Sequence, residues 1–145
     1  TTEIYTLSLH DALPISACIM LAGTTLPAAE PIEGKAVEAA LQWLALVDKG
    51  DYAGSLKESA DYFKGAIREE QWKQAMEGVR GPLGKALGRT LKTAEHRTSL
   101  PGAPDGDYVV IQFETSFENK GSAVETVTSM LEKDGTWRVA GYYIN

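Results

Sequence analysis

The sequence predicts an α+β domain, with three N-terminal helices packed on a curved four-stranded antiparallel sheet. Three observations carry this. Apolar residues recur at helical spacing between Ala36 and Val79. From Gly88 onward the period falls to two, most clearly in Val109, Ile111, Phe113, Thr115 and Phe117. Turn formers then cut the second half into short segments. Helices grouped before strands give the α+β layout, with the helices on one face of the sheet.

The chain divides into three stretches before any element is placed. Thr1–Ser16 resembles the translation of a sequencing-library adapter, so its His10–Asp11 pair is set aside as a fusion scar. Ala17–Ala29 is a short apolar run ending in small residues, the pattern of a secretory signal peptide that lost its charged start. It is too short and too interrupted by Gly23, Thr24, Thr25 and Pro27 to span a bilayer. Cys18 reads as a small apolar residue of that signal rather than a lipid attachment site. Glu30–Asn145 is then a single domain in a periplasmic or secreted setting, without cysteine and hence without a disulfide or thiol nucleophile. The whole chain carries −6, and −4 remains once Glu3 and Asp11 are removed. An acidic domain without a basic block excludes nucleic acid as a partner, and no segment of it suits a membrane span.

The elements follow in order. After a short leader, 30–35, a first helix runs over Ala36–Lys49, with Val37, Ala40, Leu41, Leu44 and Val47 on one stripe widened by Trp43 and Leu46. Lys49-Gly50-Asp51 stops it. A second helix spans Tyr52–Ile67 through Leu56, Ala60, Phe63 and Ile67. A third starts at Glu69, carries Trp72, Ala75 or Met76, and Val79, and breaks at Gly81-Pro82. Strands are expected over Arg89–Thr98, Tyr108–Phe117, Ala123–Lys133 and Trp137–Ile144, the last two joined by an Asp134-Gly135 hairpin. Alternation puts Trp137, Val139, Gly141 and Tyr143 on one face of the last strand, and Arg138, Ala140, Tyr142 and Ile144 on the other. Neither face is purely polar, so the sheet needs a second cover: a ligand, a neighbour or another subunit.

Motifs of known chemistry are sparse. The mature domain has one histidine, His96, read as a surface strand residue or a partner of Glu95. No Gly-x-Ser-x-Gly elbow is present. Asp105-Gly106-Asp107 reads as a turn rather than a calcium loop, which needs more oxygen ligands. Gly81–Lys85 lacks the preceding strand and the Ser/Thr of a phosphate-binding loop. No metal or cofactor is expected. The aromatic residues Trp43, Tyr62, Trp72, Tyr108 and Tyr142 are candidate lining for a ligand pocket.

The helix ending LALVDKGDYAGSL and the closing strand DGTWRVAGYYI resemble the nuclear-transport-factor-two-like cone superfamily, also described as cystatin-like. AALQWLALVDKGDYAGSLKESADYFK, PLGKALGR and LPGAPDGDYVVIQFETSF extend this to a resemblance to the bacterial domain of unknown function 4019, covering almost all of Ala36–Asn145. The second resemblance implies no activity. The first implies a helix-covered cone, in whose enzymes an acid or base projects inward. Asp61, Glu125 and Tyr142 are candidate catalytic residues on that basis, and no spacing selects among them; His96, the one histidine of the mature domain, is a further candidate as a general base. The leading functional reading is a non-enzymatic module that binds a small apolar ligand or a protein partner. The alternative is an isomerase- or dehydratase-type enzyme with a pocket carboxylate and tyrosine. A homodimer through the sheet is compatible with either.

Overall fold

The structure, a computed structural model, describes residues 32–145. The adapter-like stretch, the apolar run with Cys18 and the expected mature start at Glu30 lie outside the described residues. Four helices precede four strands: α1 (Ile32–Asp48), α2 (Tyr52–Lys57), α3 (Asp61–Ala66), α4 (Glu69–Leu83), β1 (Ala86–Arg97), β2 (Tyr108–Phe117), β3 (Lys120–Leu131) and β4 (Trp137–Ile144). The strands form one antiparallel sheet in the order β1-β2-β3-β4. This is the expected α+β class, with one helix more than expected.

The extra helix comes from a break in the expected Tyr52–Ile67 segment. Asp51 caps α2 by accepting the Gly54 N–H at 3.0 Å. A side chain at position 54 would strike that carboxylate, which gives the Gly-Asp-Tyr-Ala-Gly sequence a physical reason. Glu58–Ala60 then leaves the helix. The Ala60 N–H donates to the Val139 carbonyl at 2.8 Å, so the chain docks on β4 before α3 begins. A backbone bond to a strand and the next helical turn compete for the same N–H, and the strand wins here.

Two further helix boundaries differ, and β1 and β3 each begin three residues earlier than expected, at Ala86 and Lys120. α1 begins at Ile32 and absorbs part of the expected leader. α4 does not break at Gly81-Pro82 but carries Pro82 in its last turn. It ends at Gly84, whose φ of 79° suits only glycine and whose N–H bonds the Arg80 carbonyl at 3.2 Å. A Cβ at this position would also meet Glu118.

The core joins one side of α1 to one face of the sheet. Ala36, Ala40, Trp43, Leu44 and Val47 of α1 meet Val109, Ile111, Phe113, Val127 and Val139, with Leu56, Trp72 and Met76 closing over them. The stripe on α1 is turned from the one expected: Ala36 joins it and Leu41 is exposed. On α4 the inward positions are Trp72, Met76 and Arg80, while Val79 faces solvent. The i, i+4, i+8 spacing continues as a helix requires, but its third place holds a charge.

β4 also departs from strict alternation. A register shift between Thr128 and Ser129 pairs them with Gly141 and Val139 and leaves Ala140 as the extra residue. Parity therefore switches within the strand. Val139 and Tyr142 both reach the helix side, although alternation alone puts them on opposite faces. The expected face assignment holds before the bulge and fails after it.

Candidate functional site

Glu125 and Tyr142, two of the four candidate catalytic residues, are brought together on the helix side of the sheet. Tyr142 Oη donates to Glu125 Oε2 at 2.5 Å. Glu125 Oε1 accepts from Thr115 Oγ1 at 2.6 Å and from Arg89 Nε at 2.7 Å. Arg89 turns the rest of its guanidinium to Asp48, with Nη1 to Oδ2 at 2.9 Å and Nη2 to Oδ1 at 3.1 Å. Arg80 Nη2 reaches the same Asp48 Oδ1 at 2.7 Å. Its guanidinium carbon also lies 5.0 Å from the centre of the Phe117 ring.

The chain of contacts draws one group from each long element. Asp48 ends α1, Arg80 lies near the end of α4, Arg89 is on β1, Thr115 on β2, Glu125 on β3 and Tyr142 on β4. Two cations face two carboxylates, so the cluster is neutral as a whole. It meets water at Asp48, whose side chain is 29 % exposed, and closes inward through Arg89 at 13 % to Glu125 at 0 %.

Electrostatics follow this geometry. Burial alone would lower the Arg89 pKa, but its hydrogen bonds and charge pairing with Asp48 and Glu125 raise it instead. Burial likewise opposes the charge on Arg80, and Asp48 again reverses the sign. Asp48 is destabilised by burial, yet the two guanidinium groups hold its carboxyl below the ordinary range. Burial, then the charge and hydrogen bond of Glu125, push the Tyr142 phenol well above its ordinary value. Tyr142 is therefore fixed as a proton donor.

Beside this cluster lies a neutral one. Trp43 Nε1 donates to the Ser55 carbonyl at 2.8 Å and to Ser59 Oγ at 3.0 Å, and Trp72 Nε1 donates to Ser55 Oγ at 2.9 Å. The rings of Trp43 and Trp72 are 6.0 Å apart, Trp43 meets Tyr142 at 5.2 Å, and Phe63 meets Trp72 edge-on at 5.1 Å. Three of the candidate pocket aromatics, Trp43, Trp72 and Tyr142, are thus packed on one another between helices and sheet.

The remaining candidates lie elsewhere. Tyr62 is exposed and donates to the Gly102 carbonyl at 2.9 Å. Tyr108 is buried and donates to the Pro104 carbonyl at 2.5 Å. Asp61 is exposed at the start of α3 and pairs with Lys64 at 3.2 Å. His96 does not pair with Glu95. Its Nε2 lies 2.9 Å from Asp107 Oδ1, while Glu95 pairs with Arg97 at 2.7 Å. Adjacent strand residues point to opposite faces, so Glu95 meets Arg97 two places on and not His96.

Sequence reasoning missed Asp48, Arg80, Arg89, Thr115, Ser55 and Ser59. Arg80 had a readable signal, its i+8 place after Trp72. Asp48 and Arg89 carry none, because charged residues at helix ends and strand starts are ordinarily solvated.

Four clefts on the described surface are lined without Glu125 or Tyr142. One, of about 550 Å³, runs between α1 and β4 over Trp43, Leu46, Trp137 and Val139, with Gln42, Glu58 and Arg138 on its rim. No group of three or more metal-binding side chains is found among the described residues, and no helix there is long and apolar enough to cross a membrane. None of the curated proteins matches the chain. The family described as protein of unknown function (DUF4019) matches residues 39–142, nearly the whole of the helix-and-sheet domain, and the chain belongs to this family.

Proposed function

We propose that this domain is a non-enzymatic binding module that takes a small apolar ligand in the groove between α1 and β4. The observation that carries this reading is the state of Glu125. A carboxylate has about four lone-pair positions. Glu125 has three donors on them and no exposed surface. A general base needs a free lone pair within hydrogen-bond reach of substrate. The Glu125–Tyr142 pair keeps at most one lone pair, on a carboxylate with no exposed surface for a substrate to reach, so the enzyme reading loses its best two residues to a structural role. On this reading the layout is that of a cone plugged by its own side chains, and the ligand seat moves outward.

The α1–β4 groove has the properties such a seat needs. Its volume of about 550 Å³ is within the range of small-molecule sites. Its floor is apolar and aromatic, edged by Gln42, Glu58, Thr136 and Arg138. Arg138 is already held by Glu132 at 2.9 Å, which leaves Glu58 as the rim charge without an ion pair among the described residues. The exported setting rests on the apolar run 17–29 alone.

The test is tryptophan fluorescence during titration with an apolar aromatic probe such as naphthalene. We expect a saturable signal that Trp137→Ala removes and Glu125→Gln leaves in place. A probe that binds equally well to Trp137→Ala, or a turnover lost specifically in Glu125→Gln, would sink the proposal.

A further inference from the structure

A second cleft, among α2, α3 and the start of α4, has a different chemistry. It is walled by Ala53, Gly54, Leu56 and Ile67 and rimmed by Lys57, Lys64 and Arg68, with a volume of about 540 Å³. The rim places three cations together in a chain whose net charge is −6. Lys64 is partly spoken for, by Asp61 at 3.2 Å. Glu69, the one acid on the rim, pairs outward with Lys73 at 3.7 Å. Lys57 and Arg68 have no ion-pair partner among the described residues.

We infer that this cleft binds a single-chain anionic amphiphile, an alkyl chain ending in a carboxylate or similar headgroup. The argument is complementarity on two counts. Leu56, Ile67 and Ala53 form an apolar floor, which takes a hydrocarbon chain and rewards its length. Lys57 and Arg68 supply uncompensated positive charge at the edge, where a headgroup stays in contact with water. The first turn of α4 at the same rim already carries Glu69 and Glu70, so the headgroup depends on Lys57 and Arg68 rather than on the helix dipole. An uncharged apolar ligand would use the floor and waste the rim; a small inorganic anion would do the reverse. The site shares no lining residue with the α1–β4 groove and stands or falls separately from it.

The experiment is an NMR titration of the full chain, below micelle-forming concentrations, with acetate, octanoate, decanoate and 1-octanol. Octanoate is expected to shift the Leu56 and Ile67 methyl signals and the Arg68 and Glu69 amides. Each added methylene should tighten binding by up to about fourfold, so decanoate should exceed octanoate by about an order of magnitude. Acetate should leave the site unshifted, and octanol should bind about tenfold more weakly than octanoate. The variant pair Lys57→Glu and Arg68→Glu, both at exposed positions, should lower octanoate affinity about tenfold or more. Trp137→Ala should leave it unchanged. Equal affinity for octanol and octanoate, retention of affinity in the charge-reversed pair, or binding to anionic vesicles without binding to free octanoate would overturn the inference. Shifts confined to Trp43 and Trp137 would overturn it too, while supporting the groove between α1 and β4.

Discussion

The Trp43–Ser55–Ser59–Trp72 cluster and the Asp48–Arg80–Arg89–Glu125 chain lie side by side between the helices and the sheet, joined where Trp43 meets Tyr142. The first is neutral and complete. Both indole N–H groups and both serine hydroxyls have partners. The second is ionic and incomplete, since Arg80 Nε and Nη1 are buried with no hydrogen-bond partner among the described residues. The neutral cluster ties helices to one another. The ionic chain ties four strands and two helices into one register. Breaking a neutral hydrogen bond in the interior leaves a polar atom unsatisfied; breaking an ion pair there leaves a charge. The two regions should therefore respond to mutation and to pH quite differently.

The largest effect is expected at the buried end of the ionic chain. Glu125→Ala removes the acceptor of three donors and strands Arg89 beside a fully buried site. The expected loss is about 3–5 kcal/mol, the cost of removing one partner of a buried pair. Urea unfolding followed by far-UV circular dichroism checks it. A loss below about 1 kcal/mol, the range of an exposed ion pair, would mean that the chain is not a structural tie.

Ser55→Ala probes the neutral cluster. It removes the acceptor of the Trp72 indole while leaving the Ser55 carbonyl to Trp43. About 1–3 kcal/mol should be lost, the cost of one unsatisfied buried donor. A loss equal to that of Glu125→Ala would erase the distinction between the two regions.

Arg80 and Arg89 sharpen the contrast within the ionic chain itself. Arg89 uses all three of its nitrogens, whereas Arg80 uses one. Replacement by lysine, a point charge without the planar fork, should cost Arg89 about 2–3 kcal/mol and Arg80 about 1 kcal/mol or less. The two variants compared by thermal unfolding at one pH settle the order. Equal losses would show that the unpartnered edge of Arg80 is held by something this hydrogen-bond pattern does not contain.

Much of this fold was legible in the sequence, and the failures have physical causes. β2 and β4 fall on Tyr108–Phe117 and Trp137–Ile144 as expected, because alternation and turn residues are local signals. The break at Glu58–Ala60 was not legible, because the Val139 carbonyl that draws the Ala60 N–H away lies far along the chain. The face of Tyr142 was lost to a bulge, which costs one residue and inverts parity for the rest of the strand. Glu125 and Tyr142 were on the candidate roster, but their three-donor lock was hidden, since Arg89 and Thr115 read as ordinary strand residues. Patterns report where apolar side chains face; they are silent on which charges are carried inside to meet one another.

The smallest expected effect is on pH dependence, and it separates the two regions most cleanly. Asp48 has its folded pKa held below the ordinary 3.8 by Arg89 and Arg80, so it contributes stability that is present above pH 3.8 and lost as the pH falls below it. Asp48 is open to water, which screens and limits the size of this contribution. Tyr142 has its folded pKa raised above the ordinary 10.0 by burial and by Glu125. The stability it contributes is whole below pH 10 and declines as the pH rises beyond it, where the unfolded chain releases the proton and the folded one retains it. Asp48→Asn should flatten the acid limb of the unfolding profile and leave the alkaline limb; Tyr142→Phe should do the opposite. Ser55→Ala, in a cluster without a titrating group, should lower the whole profile in parallel. A Ser55→Ala profile that changes slope at either limb would show that the two clusters share one titration through the Trp43–Tyr142 contact, rather than only a boundary.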